Sequence, residues 1–358
     1  MPVENQRELP FLTNLGLVIT YKCQIACSHC ILEASPRRTE EMELTDARQW
    51  IHQASSYRNG QFKVLSLTGG EPFYNLDLLR QISDIAEKAG LLVTVVTNAF
   101  WAFTRETALD TLKSIPAVRM LAVSADAYHQ AEIPIERVQH AVAAAQQLEL
   151  EYSVAVCTEN EQDETYLSFL RKLEAFVSRD RINTATTLPV GRGATSLKGS
   201  QYEASHVPAS SACWAASTPM IFPDGRVVAC IGPVISLRNS HPLLLGNAKR
   251  TPLSEILDQA QLNPILHALR VWGPSKLIDL LGQSGWADLL PNNYIKGSVC
   301  AACYSLMSDC RVIVCLNQLA QDPNFVEKVA YGRLYYLKEE EMAVAISSPS
   351  ENGPSFLG

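Results

Sequence analysis

The sequence predicts an α/β protein in which a partial (β/α)6 barrel is followed by a small cysteine-rich region with a β-hairpin and helices. Three observations support this prediction. Six apolar, β-branched runs alternate with amphipathic stretches over residues 16–195, which is typical of a parallel sheet with right-handed crossovers. A Pro-Asp-Gly turn at residues 223–225 lies between two apolar runs and predicts a hairpin. Six of the ten cysteines follow residue 212.

Each element follows from its pattern and its caps. The predicted strands are Leu17–Thr20, Val64–Leu67, Leu92–Thr97, Met120–Ser124, Tyr152–Cys157 and Ile182–Leu188. The predicted helices are Thr45–Tyr57, Asn75–Ala89, Thr104–Ile115, Pro134–Leu148 and Asp163–Ser178. We expect Thr45, Asn75 and Thr104 to be N-caps, because their side-chain oxygens can accept from free backbone N–H groups. Ligand-binding groups of such a barrel should lie at the carboxyl ends of its strands.

The chain divides into five predicted segments. These are an N-terminal lead (1–15), the barrel (16–195), a linker (196–212), a cysteine-rich domain (213–320), and a C-terminal helix with a disordered tail (321–358). The linker prediction rests on its Ser, Ala and Gly content without a clear period. The length of 358 residues suits one large catalytic domain with an appendage.

Three cysteines directly follow the first predicted strand. Cys23, Cys27 and Cys30 form a Cys-x3-Cys-x2-Cys triplet. Three thiolates in one loop can hold three corners of a [4Fe–4S] cube, which leaves the fourth iron open to bind a substrate. The alternative is a structural zinc knuckle, which needs a fourth Cys or His at short range. His29 is adjacent to Cys30 and badly placed to bind the same ion, so the spacing favours iron–sulfur.

The second predicted strand ends in the turn Gly69, Gly70, Glu71 and Pro72. Glycines let a backbone approach a ligand closely, and a glutamate can accept from an ammonium group, although the turn alone is ordinary. Together with the cysteine triplet, in this order and at this distance, it closely resembles the radical S-adenosylmethionine (SAM) superfamily. The resemblance implies that the triplet holds the catalytic cluster and that the Gly-Gly-Glu-Pro turn receives the amino group of SAM.

The other strand ends carry polar residues, which ordinary turns also use. The predicted cofactor-binding residues there are Asn98, Ser124, Asp126, Arg137 and Arg192. By resemblance, Ser124 and Asp126 correspond to the region that binds the ribose and the methionine carboxylate of SAM. Arg137 either reaches that carboxylate or is a solvated helix charge. His29 stands where the family often has an aromatic ring, and we expect it to contact SAM by packing.

A second set of cysteines suits a metal site of its own. Cys213 and Cys230 flank the predicted hairpin in the pattern Cys-x11-Gly-x4-Cys, and Cys300 and Cys303 form a Cys-x2-Cys pair. Four such thiolates suit a zinc ribbon or an iron–sulfur cluster. The arrangement resembles the SPASM and twitch extensions of radical SAM enzymes, which hold auxiliary [4Fe–4S] clusters.

The later spacing departs from the SPASM pattern, which continues Cys-x2-Cys-x5-Cys-x3-Cys and then needs one more cysteine. Here six residues separate Cys303 from Cys310, four separate Cys310 from Cys315, and no cysteine follows. Either one auxiliary cluster uses the four cysteines just named, or two clusters take three cysteines each with an open or non-cysteine ligand. The small displacement of Cys310 and Cys315 favours two. Cys157 is predicted to be a buried apolar residue.

The resemblance implies reductive cleavage of SAM to a 5′-deoxyadenosyl radical that abstracts hydrogen from a substrate. Proteins with SPASM extensions mostly act on peptides, so the first hypothesis is crosslinking or oxidation of a ribosomally made peptide or protein side chain. The second is twitch-type oxidation or rearrangement of a small molecule. The third, a non-catalytic electron carrier, leaves the Gly-Gly-Glu-Pro turn without a role. Sulfatase-maturing members of the family that this chain resembles use a carboxylate base directly after this cysteine. Here Ile231 follows Cys230, which argues against a sulfatase-maturing enzyme.

Composition bounds the partners and the compartment. The net charge of −7 gives no electrostatic reason to expect nucleic acid or an anionic membrane. We expect a cytoplasmic protein, because no signal-peptide pattern or 18-residue apolar stretch occurs and ten cysteines suit metal ligands in a reducing compartment. The expected partners are a flavodoxin- or ferredoxin-type reductant and, for a peptide substrate, a separate leader-peptide-binding protein.

Overall fold

The computed structural model describes residues 11–197 and 202–347. Its strands are β1 (Asn14–Thr20), β2 (Val64–Gly69), β3 (Leu92–Thr97), β4 (Val118–Ser124), β5 (Glu151–Thr158), β6 (Ile182–Thr186), β7 (Ala204–Ser205), β8 (Met220–Ile221), β9 (Arg226–Val228), β10 (Leu244–Asn247) and β11 (Tyr294–Ile295). Its helices are α1 (Leu44–Ser56), α2 (Leu76–Lys88), α3 (Arg105–Lys113), α4 (Ala127–Gln130), α5 (Ile135–Gln147), α6 (Glu164–Glu174), α7 (Gly193–Ser196), α8 (Leu253–Leu262), α9 (Pro264–Trp272), α10 (Pro274–Leu281), α11 (Val299–Ser308), α12 (Cys310–Gln321), α13 (Pro323–Leu337) and α14 (Met342–Ser347). Most of the predicted N-terminal lead, part of the predicted linker and the end of the predicted tail lie outside the described residues.

A mostly parallel sheet organises the fold. Its strand order is β10-β9-β8-β1-β2-β3-β4-β5-β6. Strands β1 to β6 pair in parallel, each with the next, and helices connect them. This confirms the α/β prediction and the six predicted strands, of which the sixth ends two residues earlier than expected. The carboxyl ends of these six strands therefore meet at one edge, as a site built from strand ends requires.

The five predicted helices between the strands begin within one residue of their predicted starts, whereas α6 ends four residues earlier than predicted. Local caps define several of these starts. Asn75 caps α2 by accepting from a backbone N–H at 3.1 Å, and Thr104 and Thr107 form a reciprocal capping box on α3. The prediction for Thr45 was wrong: Glu43 occupies the N-cap of α1 and makes no capping hydrogen bond with its side chain. Helix α1 is held instead by the burial of its apolar face, which includes Trp50.

The predicted hairpin continues the barrel sheet. Strand β8 pairs in parallel with β1, with Gly16 opposite Met220, and β9 and β10 follow antiparallel. A Cβ atom on Gly16 would lie 1.9 Å from the Met220 sulfur, so a larger residue at this position would force the Met220 side chain to move. In the turn between β8 and β9, Gly225 has a φ of 84°. The cysteine-rich region is thus joined to the barrel through main-chain pairing as well as through the linker.

The C-terminal helices pack over the region of the second cysteine set. Helix α9 packs against α13, and α10 packs against α11. No single helix in the described ranges is long and apolar enough to cross a membrane. Helices α11 and α12, which meet at a 95° bend, pass that test only as a pair, by length and composition.

A buried ionic network, which we call the C-terminal clamp, joins α9 to α13 and to the residues that directly follow α13. It consists of His267, Arg270, Arg333 and Glu339. The Arg270 guanidinium donates to Glu339 (2.7 Å), to His267 Nδ1 (2.9 Å) and to Ser217 Oγ (3.0 Å). Arg333 donates to the other oxygen of Glu339 at 2.5 Å. One carboxylate therefore pairs with two buried guanidinium groups.

Candidate functional site

The cysteine triplet lies in the loop between β1 and α1, at the carboxyl end of β1. Cys23 is buried, whereas Cys27 and Cys30 are half-buried, and all three pack within one small apolar cluster. Burial raises the pKa of the Cys23 thiol to about 12, and the charges of Glu71, Cys27 and Cys30 act in the same direction. The three sulfurs therefore lie near one another at the edge where the strand ends meet.

Arg192 fixes the shape of this loop. Its guanidinium donates to the backbone oxygens of Cys27 (2.7 Å) and Ala34 (2.6 Å), and its own N–H donates to the oxygen of Cys30 (3.1 Å). Arg192 was predicted to bind the cofactor. In the structure its contacts are with the cysteine loop, so it positions the thiols through their backbone.

Gly69 and Gly70 bring the end of β2 against the same loop. A Cβ atom on Gly69 would lie 2.3 Å from the backbone oxygen of Thr20, and one on Gly70 would lie 2.2 Å from that of Lys22. Gly69 also has a φ of 149°. The N–H groups of Gly70 and Glu71 donate to the same two oxygens, at 2.7 and 2.9 Å. The close approach that requires these glycines is thus between two backbone segments.

The Glu71 carboxylate is fully buried and turned towards the protein. It accepts from the N–H of Phe73 (3.1 Å), the hydroxyl of Thr97 (2.8 Å) and the N–H of Asn98 (2.8 Å). Burial raises its pKa to about 7, although these hydrogen bonds favour the charged form. These hydrogen bonds join the ends of β2 and β3, and the expected contact of this turn with the amino group of SAM stays a prediction. Pro72 begins the 3-10 helix Pro72–Asn75 that follows.

Two further predicted residues, Asn98 and Arg137, make hydrogen bonds to the cysteine loop and to the loop after β3. Asn98 Nδ2 donates to the Cys23 sulfur at 3.6 Å. The Arg137 guanidinium donates to the backbone oxygen of Phe100 and lies 4.1 Å from the ring centre of Phe103. Arg137 therefore has partners other than the carboxylate that the sequence analysis offered it.

At the end of β4, a buried carboxylate brings two histidines together. Ser124 is the last residue of the strand and is half-buried. Asp126 is 1% exposed, caps α4 by accepting from the N–H groups of Tyr128 and His129 (both 3.0 Å), and pairs with His129 Nδ1 at 2.8 Å. His29 Nε2 lies 3.7 Å from the second oxygen of Asp126. The predicted residues Asp126 and His29 are therefore neighbours.

The two histidines carry different charges. Burial opposes a charge on His129, but the Asp126 carboxylate outweighs it and raises the pKa of His129 to about 10. Burial lowers the pKa of His29, which is thus neutral near pH 7. Burial also opposes the charge of Asp126, but the histidines lower the pKa of Asp126 below its ordinary value. Their ligand-type atoms lie within 4.8 Å of one another.

Buried polar atoms without a hydrogen-bond partner concentrate around these residues. Among the described residues they include His29 Nδ1, Asp126 Oδ2, Gln130 Nε2, Thr187 Oγ1 and Tyr202 OH. We call these five residues the mouth cluster. An unpaired buried polar group costs about 1–3 kcal/mol and is rare in folded proteins. A concentration of them at strand ends indicates a place where a polar ligand supplies the missing partners.

Three residues near the mouth cluster were not predicted from the sequence: Tyr128, His129 and Glu159. The Tyr128 ring lies 4.4 Å from that of His29, and the charge of Glu159 acts on His29, Tyr128 and Tyr202. Tyr128 and Glu159 also line a cleft of about 440 Å³ beside β5 that half-buried Cys157 reaches. The spacing Asp-x2-His, which places both side chains at one helix N-terminus, was a readable signal for His129.

Four cysteines of the second set come together. Cys213 precedes the 3-10 helix Trp214–Ser217, Cys230 follows β9, and Cys300 and Cys303 lie on α11. Burial raises the pKa of Cys230 to about 12, with a further contribution from Cys213. Burial and the charges of the other three thiols also raise the pKa of Cys303. The charge of Cys213 also acts on Cys300, so each of these four thiols takes part in at least one such interaction, and the four sulfurs lie near one another.

The structure does not bring Cys310 and Cys315 into this group. Cys310 is exposed at the start of α12, Cys315 is buried in the apolar face of that helix, and neither charge acts on the other four thiols. No three cysteine sulfurs of the described ranges lie within 4.8 Å of one another.

Comparisons with known proteins agree with this architecture. Residues 17–173 match the model of the radical SAM superfamily. The chain is 20% identical over 306 residues to YydG of Bacillus subtilis (strain 168), which is provisionally described as a peptide biosynthesis protein. That alignment covers 82% of this chain and 91% of YydG.

Two solved structures match this chain. One, described as histidine-tagged anSMEcpe with bound AdoMet, has a TM-score of 0.50 at 12% identity, covering 93% of this chain and 99% of that one. The other, BtrN in complex with AdoMet and 2-DOIA, has a TM-score of 0.41 at 15% identity, covering 72% of this chain and 87% of that one. The first of these extends the likeness from the barrel into the cysteine-rich region.

Proposed function

This chain is an enzyme of the radical SAM superfamily, and on that premise we propose that it crosslinks or oxidises a side chain of a ribosomally made peptide or protein. One observation carries the proposal. A cleft of about 230 Å³, which we call the inter-site cleft, is lined by residues of both the barrel and the cysteine-rich region. Its lining includes Ile31, which directly follows Cys30, and Tyr304, which directly follows Cys303. A substrate group in this cleft contacts residues adjacent to both sets.

The family implies a [4Fe–4S] cluster and SAM, and the residues present fit both. We propose that Cys23, Cys27 and Cys30 hold the cluster, and that the mouth cluster, with Ser124, holds SAM. When bound, these groups supply the one-electron chemistry that begins hydrogen abstraction. The partnerless oxygens and nitrogens of the mouth cluster suit the hydroxyl, amino and carboxylate groups of SAM.

Other predicted residues hold the cysteine loop in position. Arg192 holds the backbone of the cysteine loop, and Glu71 holds the strand ends beneath it. Asn98 directs an N–H towards the Cys23 sulfur, which is a contact that stabilises a thiolate. These contacts orient the thiols before any cofactor binds.

For the second cysteine set we propose one auxiliary [4Fe–4S] cluster, held by Cys213, Cys230, Cys300 and Cys303. This selects the one-cluster alternative over the two-cluster alternative that the spacing favoured. It leaves Cys310 and Cys315 as free thiols. The boundaries proposed above, with the barrel over 16–195 and the auxiliary domain over 213–320, place each cysteine set in its own segment.

Peptide modification is supported by the description of YydG, which aligns over most of both chains. The proposal includes a flavodoxin- or ferredoxin-type reductant, a separate leader-peptide-binding protein, and a cytoplasmic location. A second candidate, oxidation or rearrangement of a small molecule, is favoured by the grouping of four cysteines, because twitch-type extensions hold one auxiliary cluster.

The first test is the iron and labile sulfide content of anaerobically purified protein. Two [4Fe–4S] clusters predict about eight irons per chain. The Cys23→Ala/Cys27→Ala/Cys30→Ala variant should retain about four irons, and so should a variant that lacks the four auxiliary cysteines. Cys310→Ser is the matched control and should retain all of them. A wild-type protein that holds zinc, or a triplet variant that loses no iron, contradicts the proposal.

The second test is conversion of SAM to 5′-deoxyadenosine by the reduced protein, with and without short peptides encoded near its gene. Acceleration by one of these peptides, together with a mass change in it, supports peptide modification. Acceleration only by small molecules supports the second candidate. No conversion under any condition, with iron fully loaded, would leave an electron carrier.

A further inference from the structure

We propose that the inter-site cleft binds a carboxylate of the substrate, namely an acidic side chain of a peptide, through Arg226 and Arg238. This inference rests on the proposed function, since it names the chemistry of the substrate group that the cleft receives. It is carried by the lining of the cleft, by the hydrogen bonds of the two arginines, and by the charge around them.

The lining combines two cations with neutral hydrogen-bonding groups. Arg226 and Arg238 lie on the auxiliary side of the cleft together with Ser236, and Tyr21 lies on the barrel side. Glu33 is the single acidic residue among the lining residues. A volume of about 230 Å³ accommodates a side chain rather than a whole cofactor. The cleft thus suits one small anionic group.

The guanidinium of Arg226 is held in a fixed orientation with one N–H unused. One terminal nitrogen donates to the backbone oxygens of Ile235 (3.1 Å) and Leu237 (3.5 Å), and the group lies 4.3 Å from the ring centre of Phe222. Its Nε is buried and has no hydrogen-bond partner. A planar guanidinium that is already oriented loses little side-chain entropy when it binds a carboxylate.

Arg238 provides the second donor. It directly follows Leu237, whose oxygen accepts from Arg226, so the backbone brings the two arginines to one wall of the cleft. Its side chain is exposed and forms no ion pair or hydrogen bond with any residue in the ranges 11–197 and 202–347. This guanidinium is therefore free to pair with a ligand.

The net charge of the chain opposes the binding of acidic peptides, so any preference for them reports on a local site. At a net charge of −7, the protein repels an acidic peptide in general. A preference for such a peptide must then come from a local cationic site. Glu33, across the cleft, opposes that preference, so its replacement by a neutral residue should strengthen it.

The test compares two fluorescein-labelled peptides of alternating sequence, one of glycine and glutamate and one of glycine and glutamine, by fluorescence anisotropy on the iron-loaded protein. We expect the glutamate peptide to bind about tenfold more tightly, as a charge-assisted pair predicts. Arg238→Gln should remove most of this difference, and Glu33→Gln should increase it. The exposed arginine Arg250, which is not among the lining residues, gives the matched control Arg250→Gln, which should change nothing.

Arg226 also packs on Phe222, so the variant chosen here is Arg226→Lys. Lysine retains the positive charge but lacks the planar guanidinium that can donate two parallel hydrogen bonds. This variant should weaken binding of the glutamate peptide with an unchanged unfolding temperature. Equal binding of the two peptides by wild type, or an equal loss in Arg250→Gln, would overturn the inference. Failure of the proposed function is seen separately, as absence of 5′-deoxyadenosine formation, which the peptide comparison does not require.

Discussion

The mouth cluster and the C-terminal clamp are both buried and polar, but they differ in how their hydrogen bonds are satisfied. In the clamp, the Glu339 carboxylate has a guanidinium on each oxygen, and His267 donates to the Gln261 oxygen (2.7 Å) while accepting from Arg270. In the mouth cluster, one oxygen of Asp126 and one nitrogen of His29 have no hydrogen-bond partner, and that oxygen lies 3.7 Å from the other nitrogen of His29. Each group is equally hidden from water, so burial alone does not explain the difference.

The difference separates stability from function. A fully paired buried network leaves nothing for a ligand to satisfy, and this one ties α9 to the segment that follows α13. A partly paired one destabilises the free protein, and a ligand that supplies the missing partners recovers that free energy on binding. Substitutions in the clamp should therefore change unfolding, and those in the mouth cluster should change binding.

The largest effect should come from breaking the clamp. Glu339→Ala leaves two buried guanidinium groups without their carboxylate, and we expect the free energy of unfolding to fall by about 3–5 kcal/mol. Chemical denaturation measures this change, and Glu340→Ala, at the exposed neighbouring residue, is the control. SAM affinity of the folded variant should be unchanged. A loss of SAM binding without loss of stability would reverse the assignment of the two regions.

The next effect should come from the mouth cluster. Asp126→Asn removes the charge that a ligand would meet, and we expect SAM affinity, measured by equilibrium dialysis, to fall at least about tenfold. The free energy of unfolding should fall by no more than about 2 kcal/mol, because asparagine is also a good N-cap and His129 can lose its proton. The control is Asp322→Asn, which changes the N-cap of α13. Unchanged SAM affinity in Asp126→Asn would contradict the proposed site.

A pH effect should belong to the clamp. Burial and the charges of Arg333 and Arg270 lower the pKa of His267 well below its ordinary value. Below about pH 6.5 the unfolded chain therefore binds a proton that the folded chain refuses, and stability is lost as the pH falls. We expect a slope of up to about 1.4 kcal/mol per pH unit from this residue. Chemical denaturation at several pH values measures this slope. The slope should be absent in His267→Gln and present in the control His52→Gln, which replaces an exposed histidine.

The smallest effect should come from a single hydroxyl of the mouth cluster. Tyr202→Phe removes a buried oxygen that has no partner in the protein, so stability should stay the same or rise. SAM binding should weaken about fivefold, as expected for one hydrogen bond worth about 1 kcal/mol. Tyr335→Phe, at a ring that is 67% exposed, is the control. A stability loss in Tyr202→Phe would mean that its hydroxyl already has a partner.

Much of the fold was readable from the sequence, because its signals are local. Strand ends and caps such as Asn75 and Thr104 are encoded within a few residues, and so are the cysteine loop and the Gly-Gly-Glu-Pro turn. The pairing of β8 with β1 was not readable, since it joins Met220 to Gly16 across about two hundred residues without a local pattern.

For several predicted site residues, the sequence indicated the place in the fold but not the hydrogen-bond partners. Glu71, Arg192 and Arg137 are where strand ends place them, but their hydrogen bonds go to backbone groups and side chains of the protein. Such partners depend on how loops from different strands meet, which a linear sequence does not specify. The grouping of four cysteines without Cys310 and Cys315 likewise depends on the turn between α11 and α12.

Strand β1 has a consequence for handling the protein. Its residues Leu15, Leu17, Val18 and Ile19 have no exposed surface, and β2 and β8 cover its two edges. A fragment that stopped at the end of the barrel would leave the β8 edge of this apolar strand unpaired. Such an edge is a template for intermolecular strand pairing. The isolated barrel should therefore aggregate, and the cysteine-rich region acts as the cover that prevents it.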